Sequence, residues 1–200
     1  MSKLMLQRLR WQLPLAERAL AVLAFRTASR VGDLLPLTAD DIKVQLDGSL
    51  LIVFRETKTN QEQDPRPDHQ VIVPEPELEI RQFLRTRRSL SRNHKLWGSL
   101  NADRLSRKLH TLQVPNCELA RWKQMDPRHE IRPTYSLHSL KRGAAFYAWQ
   151  AVAEGTITVQ DLCLLLKHKD VATAIEYCPA PGLAARACGS RAGLVTRLQL

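Results

Sequence analysis

Apolar positions in LAERALAVLAFRTASR, Leu15 to Arg30, recur at helical spacing so densely that the segment predicts a buried helix. Thr38, ahead of ADDI, predicts the N-cap of a short helical turn. The period then changes. SLLIVFRET and HQVIVP are rich in branched and aromatic residues and predict two strands. They are joined by TKTNQEQDPRPD, a polar stretch with two prolines, so the expectation is a small antiparallel sheet with a long loop at its tip. Pro74 ends the sheet, and PELEIRQFLRTRRSL returns to amphipathic helical spacing. ADRLSRKLHTL and CELARWKQM predict two further helices before the breaker-rich DPRHEIRPTYS.

The last third is helical again. HSLKRGAAFYAWQAVAEG predicts a helix closed by Gly155 just past its end. TVQDLCLLLKH predicts a second, and DVATAIEY, capped by Asp170, a third. After Tyr177 the chain is rich in Ala, Gly and Pro and reads as a tail. No repeat interrupts this order. The fold class expected is α+β and mainly α, a helical domain with one small antiparallel sheet inserted early.

Two hundred residues suffice for one domain with a core that needs no disulfide or metal. The hydrophobic fraction of 44% and the charged fraction of 25% are ordinary. The charge balance is not: 30 Lys and Arg face 20 Asp and Glu, a net of +10. That surplus favours a polyanionic partner, with nucleic acid ahead of an anionic membrane. From Arg81 to Lys108 there are nine Lys or Arg and one acid, Asp103, a net of +8. Arg85, Arg87 and Arg88 are the expected phosphate contacts in this tract, alongside the plainer reading of a solvated basic helix pair. Trp97, Trp122 and Trp149 are expected to pack rather than to stack on bases.

Cys117, Cys163, Cys178 and Cys188 show neither C-x-x-C pairing nor zinc spacing. They are expected to be reduced thiols, with no metal and no cofactor. No run of about eighteen apolar residues is present, so no membrane span is expected. The opening MSKLMLQRLRWQLPL is basic and free of acids, and reads as a lead-in segment rather than a transit peptide. The expected location is nuclear in a eukaryote and cytoplasmic otherwise, not secreted.

Four polar clusters remain. In TASRVGDLLPL, Arg30 has Asp33 three residues on; the arginine either caps a helix C-terminus through the dipole or is held by the carboxylate for a site. In RETKTN, Lys58 leads the inter-strand loop, a place where lysines are usually just solvated. In LHSLKRGAA, His138, Lys141 and Arg142 crowd a helix N-terminus, where free N–H groups favour anions. In KHKDVATAIEY, His168 lies nine residues before Tyr177; alone, this pair reads as a short helix with a core tyrosine. One task would use all four clusters. A phenol attacking a phosphodiester without a metal needs fixed cations for the charge on phosphorus, an acid for the departing 5′ oxygen, and a histidine at the phenol or phosphate.

In that order the motifs resemble the catalytic domain of the tyrosine recombinases, the phage-integrase family. ASRVGD, RETKTN, HSLKRGAA and KHKDVATAIEY carry the resemblance from about residue 14 to residue 178. HSLKRGAA is also similar to tyrosine recombinases of eukaryotic mobile elements. The resemblance implies that Arg30 clamps the scissile phosphate with Asp33 orienting it, and that Lys58 protonates the leaving 5′ hydroxyl. His138 would contact the phosphate and assist proton transfer at the tyrosine, and His168 would hydrogen-bond a non-bridging oxygen. Tyr177 would become a 3′-phosphotyrosyl link, reversed by another strand's 5′ hydroxyl without ATP. It further implies double-stranded DNA as partner and a homo-tetramer on DNA, with the tail from 179 to 200 reaching a neighbour.

The chain departs from the family twice. The second arginine of H-x-x-R is Lys141 here, with Arg142 next to it but about 100° further round a helix. A planar fork thus becomes a point charge, unless Arg142 turns inward. Only a lead-in of residues 1 to 13 precedes the match, where family members place a DNA-clamping domain, so a truncated copy, a fragment and a stand-alone domain are all open. The expected function is strand cleavage and rejoining for integration or excision of a mobile element. A catalytically impaired DNA-binding remnant is the alternative, and type IB topoisomerase-like activity the third reading.

Overall fold

A computed structural model describes residue 6, residues 12–55, 69–117, 119–120 and 134–168, residue 171 and residues 173–174. Lys58, Trp122 and Tyr177 lie outside the described residues, as do Asp170, Cys178, Cys188 and the tail. The elements in chain order are α1 (Leu15–Arg26), α2 (Val31–Leu34), a 3-10 turn (Ala39–Asp41), β1 (Ile42–Val44), β2 (Leu50–Phe54) and β3 (His69–Val73). Then follow α3 (Leu78–Thr86), α4 (Ala102–His110), α5 (Leu137–Ala153) and α6 (Val159–Leu166). The α+β, mainly helical class read from the sequence is what the chain adopts.

Helix α1 is the spine. Ala19 to Phe25 are buried without interruption, as expected of a helix apolar all round. Its alanines let neighbours approach closely, and α2, α3 and α5 pack against it while α6 and α4 pack on α5. The helix ends at Arg26, four residues before the expected Arg30. The stop is a left-handed turn at Ala28, φ 49°, where Ser29 N–H reaches Ala24 O at 3.1 Å and Ala28 N–H reaches Phe25 O at 3.3 Å. No glycine marks it, so apolar periodicity runs past the true end.

The sheet has three strands, not two, in the order β1-β2-β3 and antiparallel throughout. The addition is β1, joined to β2 by a turn in which Gly48 takes φ 82° and Asp47 accepts from Ser49 N–H at 2.9 Å. Leu50, Ile52 and Phe54 put one face of β2 into the core. The root of the β2–β3 loop is fastened: Arg55 Nε meets Asp41 Oδ1 at 2.7 Å, and Asp41 also takes Thr38 N–H and Oγ1. Burial would raise the Asp41 carboxyl, but these hydrogen bonds outweigh it and hold the group below its ordinary range.

On the far side of α1 the buried Glu17 carboxylate, its side chain 3% exposed, binds Arg104 Nε at 2.8 Å and Lys108 Nζ, both on α4. Two cations of the basic tract are therefore spent on the fold. Arg104→Ala with Lys108→Ala leaves that carboxylate buried and alone, and is expected to cost about 3–5 kcal/mol in urea unfolding. Glu17→Leu frees partners that can turn to water, and is expected to cost far less. Equal losses would mean that the ion pairs themselves are not what is felt. Helices α5 and α6 carry the caps their sequences announce, with Gly155 at φ 73° just past α5 and Thr158 accepting from Asp161 N–H at 3.1 Å.

Candidate active site

The turn that closes α1 hands the chain directly to Arg30, which precedes α2 rather than ending a helix. Arg30 is exposed, and among the described residues its guanidinium makes no hydrogen bond or ion pair. Asp33 is buried; the contact recorded between the two is Asp33 Oδ2 accepting from the Arg30 backbone N–H at 3.3 Å. The carboxylate thereby fixes the turn that presents the guanidinium.

Helix α5 brings the second cluster. His138 and Arg142 are exposed near its N-terminus, whereas Lys141 points inward and is 2% exposed. Its ammonium donates to Leu166 O at 2.9 Å, the last carbonyl of α6, where the helix dipole favours a cation. Helix α6 closes as α1 does: Lys167 takes a left-handed φ of 57°, Lys167 N–H reaches Leu164 O at 3.2 Å, and His168 N–H reaches Cys163 O at 3.0 Å. Both turns put a side-chain-bearing residue where glycine is usual, at about 1–2 kcal/mol each. Lys167 Nζ then donates to Ser29 Oγ at 3.2 Å.

These contacts join segments far apart in sequence into one cationic cluster. Partial desolvation, then the charges of Arg142, Lys141 and Arg30, hold the His138 imidazole below its ordinary range. Burial, then Arg30, bring Lys141 down to about 8, with Asp33 opposing. Burial also brings Lys167 down to about 8, with Asp33 opposing and Lys141 and Arg30 adding to the fall. The structure thus gathers Arg30, Asp33, His138, Lys141 and Arg142, with His168 directly after Lys167. It says nothing of Lys58 or Tyr177, which lie outside the described residues. Among the described residues no group of three His, Cys, Asp or Glu side chains could hold a metal ion.

No family model matches the chain, and no curated protein matches it by sequence. Its fold does have solved counterparts. The XerH site-specific recombinase bound to palindromic difH substrate, in a post-cleavage complex, aligns with a TM-score of 0.61 at 13% identity over 93% of this chain. The pre-cleavage complex of XerH with difH aligns at 0.58 and 13% identity over 88%. This is a tyrosine-recombinase catalytic-domain fold. The chain spans about half the length of those XerH chains, 50% and 49%. Within this recombinase fold, sequence reading missed Lys167; the available signal was the first lysine of KHK, directly after an apolar helix.

The other basic candidates divide. Arg85 and Arg88 are exposed, on and just beyond the last turn of α3. Arg87 instead lays its guanidinium 5.3 Å from the Phe83 ring centroid, and Phe83 stacks on Trp97 at 4.7 Å. Trp97 and Trp149 are buried, as expected of packing residues. Cys117 and Cys163 are free thiols. Among the described residues no helix is long and apolar enough to cross a membrane.

The two depressed lysines have a consequence for stability. The unfolded chain holds both protons up to about 10.5, the folded chain only to about 8. Between those values the unfolded state binds more protons, so their contribution to unfolding free energy rises with pH and is flat below about 8. Urea unfolding of wild type against Lys141→Met and Lys167→Met across that window is expected to show the wild type gaining on each variant as pH rises. A flat difference would mean that the ammonium groups are not desolvated.

Proposed function

We propose that this chain cleaves and rejoins DNA strands through a 3′-phosphotyrosyl intermediate on Tyr177, as a site-specific recombinase or integrase of a mobile element. The observation that carries the reading is the convergence of Arg30, His138, Lys141 and Lys167 on one cationic cluster, inside a fold whose solved XerH counterparts are bound to DNA.

The reaction is an in-line displacement. The Tyr177 oxygen bonds to phosphorus as the bond to the 5′ oxygen breaks. The phenol proton goes to His138, where partial desolvation and the neighbouring cations favour the neutral imidazole that can accept it. Lys58 supplies a proton to the departing 5′ oxygen. Arg30 holds the non-bridging oxygens with a fork that has no hydrogen bond or ion pair among the described residues, and His168 adds a hydrogen bond. Arg85 and Arg88 carry flanking phosphates, giving affinity that falls steeply with salt. The catalytic unit spans residues 14–178 and works as a tetramer on two duplexes.

A specific observation favours a second reading, a DNA-binding remnant. Lys141, at the family's second-arginine position, is buried and committed to Leu166 O. The deciding experiment is a suicide duplex drawn from the DNA flanking the coding sequence, with a nick that lets the short product diffuse away. The proposal expects a protein–DNA adduct that survives SDS and maps by mass to the peptide holding Tyr177. Salt-sensitive binding with no adduct on any flanking duplex would favour the remnant.

A further inference from the structure

We infer that Lys167 is a positioning residue, whose single ammonium fixes the Arg30 turn, the end of β2 and the His168 turn relative to one another. Its Nζ donates to Ser29 Oγ at 3.2 Å and lies 3.4 Å from the centroid of the Phe54 ring. Ser29 and Phe54 are both buried, each 1% exposed. Ser29 directly precedes Arg30, Phe54 is the last residue of β2 and lies four residues before Lys58 in sequence, and His168 directly follows Lys167. Three segments bearing proposed site residues therefore meet on one side chain.

The backbone argues that the side chain is used. Lys167 occupies a left-handed position, φ 57°, that glycine fills without strain. Beside α5, where nothing of the cluster depends on the turn residue, the same kind of stop is made by Gly155 at φ 73°. A lysine kept at the strained position brings what glycine cannot: a charge seated on an aromatic face and a hydroxyl, next to the opposing carboxylate of Asp33. Arg30 and Lys141 repel that charge, so the tie is strongest when an anion sits among them. For catalysis, the inference rests on the recombinase reading above.

The test uses the whole chain with Lys167→Gly, which relieves the turn, and Lys167→Met, which keeps bulk without charge. Amide exchange reads the tie without any DNA. The Ser29 N–H, bonded to Ala24 O, and the His168 N–H, bonded to Cys163 O, are the reporters. Both are expected to exchange at least about tenfold faster in both variants, the loss a charge-assisted hydrogen bond carries, with the core of α1 still protected. Exchange within about twofold of wild type in both variants overturns the inference. On the suicide duplex, saturating binding is expected to be retained while single-turnover adduct formation slows by about tenfold or more. Variants that form adduct at the wild-type rate also overturn it. If the wild type forms no adduct, the recombinase reading falls, and the exchange result alone decides whether Lys167 holds the three segments together.

Discussion

Tyr177→Phe is expected to abolish the SDS-resistant adduct while leaving affinity for the same DNA essentially unchanged. The substitution removes one hydroxyl and nothing else, so it deletes the proposed nucleophilic atom and keeps every cation proposed to draw the duplex in. Loss of a nucleophilic side chain in other enzymes costs about 10⁶ in rate, which here means no adduct on any practical timescale. Binding is proposed to rest on Arg30, Arg85 and Arg88, so its slope against salt is expected to match wild type. Adduct persisting in Tyr177→Phe would move the nucleophile elsewhere. Loss of binding would show that the hydroxyl holds the fold or the DNA rather than attacks it. The comparison also separates recombinase from remnant, since the remnant predicts identical behaviour of the two proteins in every assay.

Much of this arrangement could be read from residue pattern because its parts are local. His138 and Lys141 are three apart at the start of an apolar helix, a spacing that a helix turns into adjacency. Strands β2 and β3 announce themselves by branched residues between breakers. What escaped reading depends on distant partners or unmarked turns. Helix α1 stops at a left-handed Ala28, where the usual glycine signal is missing. Strand β1 is three residues long, and its one signal, the Asp47-Gly48 pair ahead of β2, is a common turn. Glu17, a lone acid in an apolar helix, has its partners about ninety residues on in α4, one of them Lys108 with |i−j| of 91. That pairing withdraws Arg104 and Lys108 from the tract counted as a DNA face.

Lys141 shows why composition at one position misleads in both directions. Read as a motif, it is a weakened phosphate clamp. In the fold it is a cation on the final carbonyl of α6, the helix whose next residues are Lys167 and His168. Its burial gives it a structural duty that an exposed clamp would not have, and its depressed basicity makes it a charge that an arriving phosphate would reinforce. Lys141 is thus the proposed second cation of the site, with Lys167 positioning the segments around it and Arg142 outward and acting on His138.

Arg30→Ala is expected to slow adduct formation by about a hundred- to a thousandfold, the loss that follows removal of one group stabilising charge at the reacting centre. The same substitution is expected to leave the melting midpoint unchanged or higher. Among the described residues the Arg30 guanidinium has no hydrogen bond or ion pair to lose. What it contributes to the folded chain is repulsion, since its charge depresses His138, Lys141 and Lys167 alike. Deleting it relieves three cations and removes the fork proposed to hold the phosphate, so stability and activity are expected to move in opposite directions, as they do where a site is held against its own strain. Arg30→Lys keeps the charge and gives up the bidentate geometry, and is expected to fall between wild type and alanine in rate. A midpoint that drops by several degrees in Arg30→Ala would make the residue a structural one. Cleavage within about tenfold of wild type would remove it from the phosphate altogether.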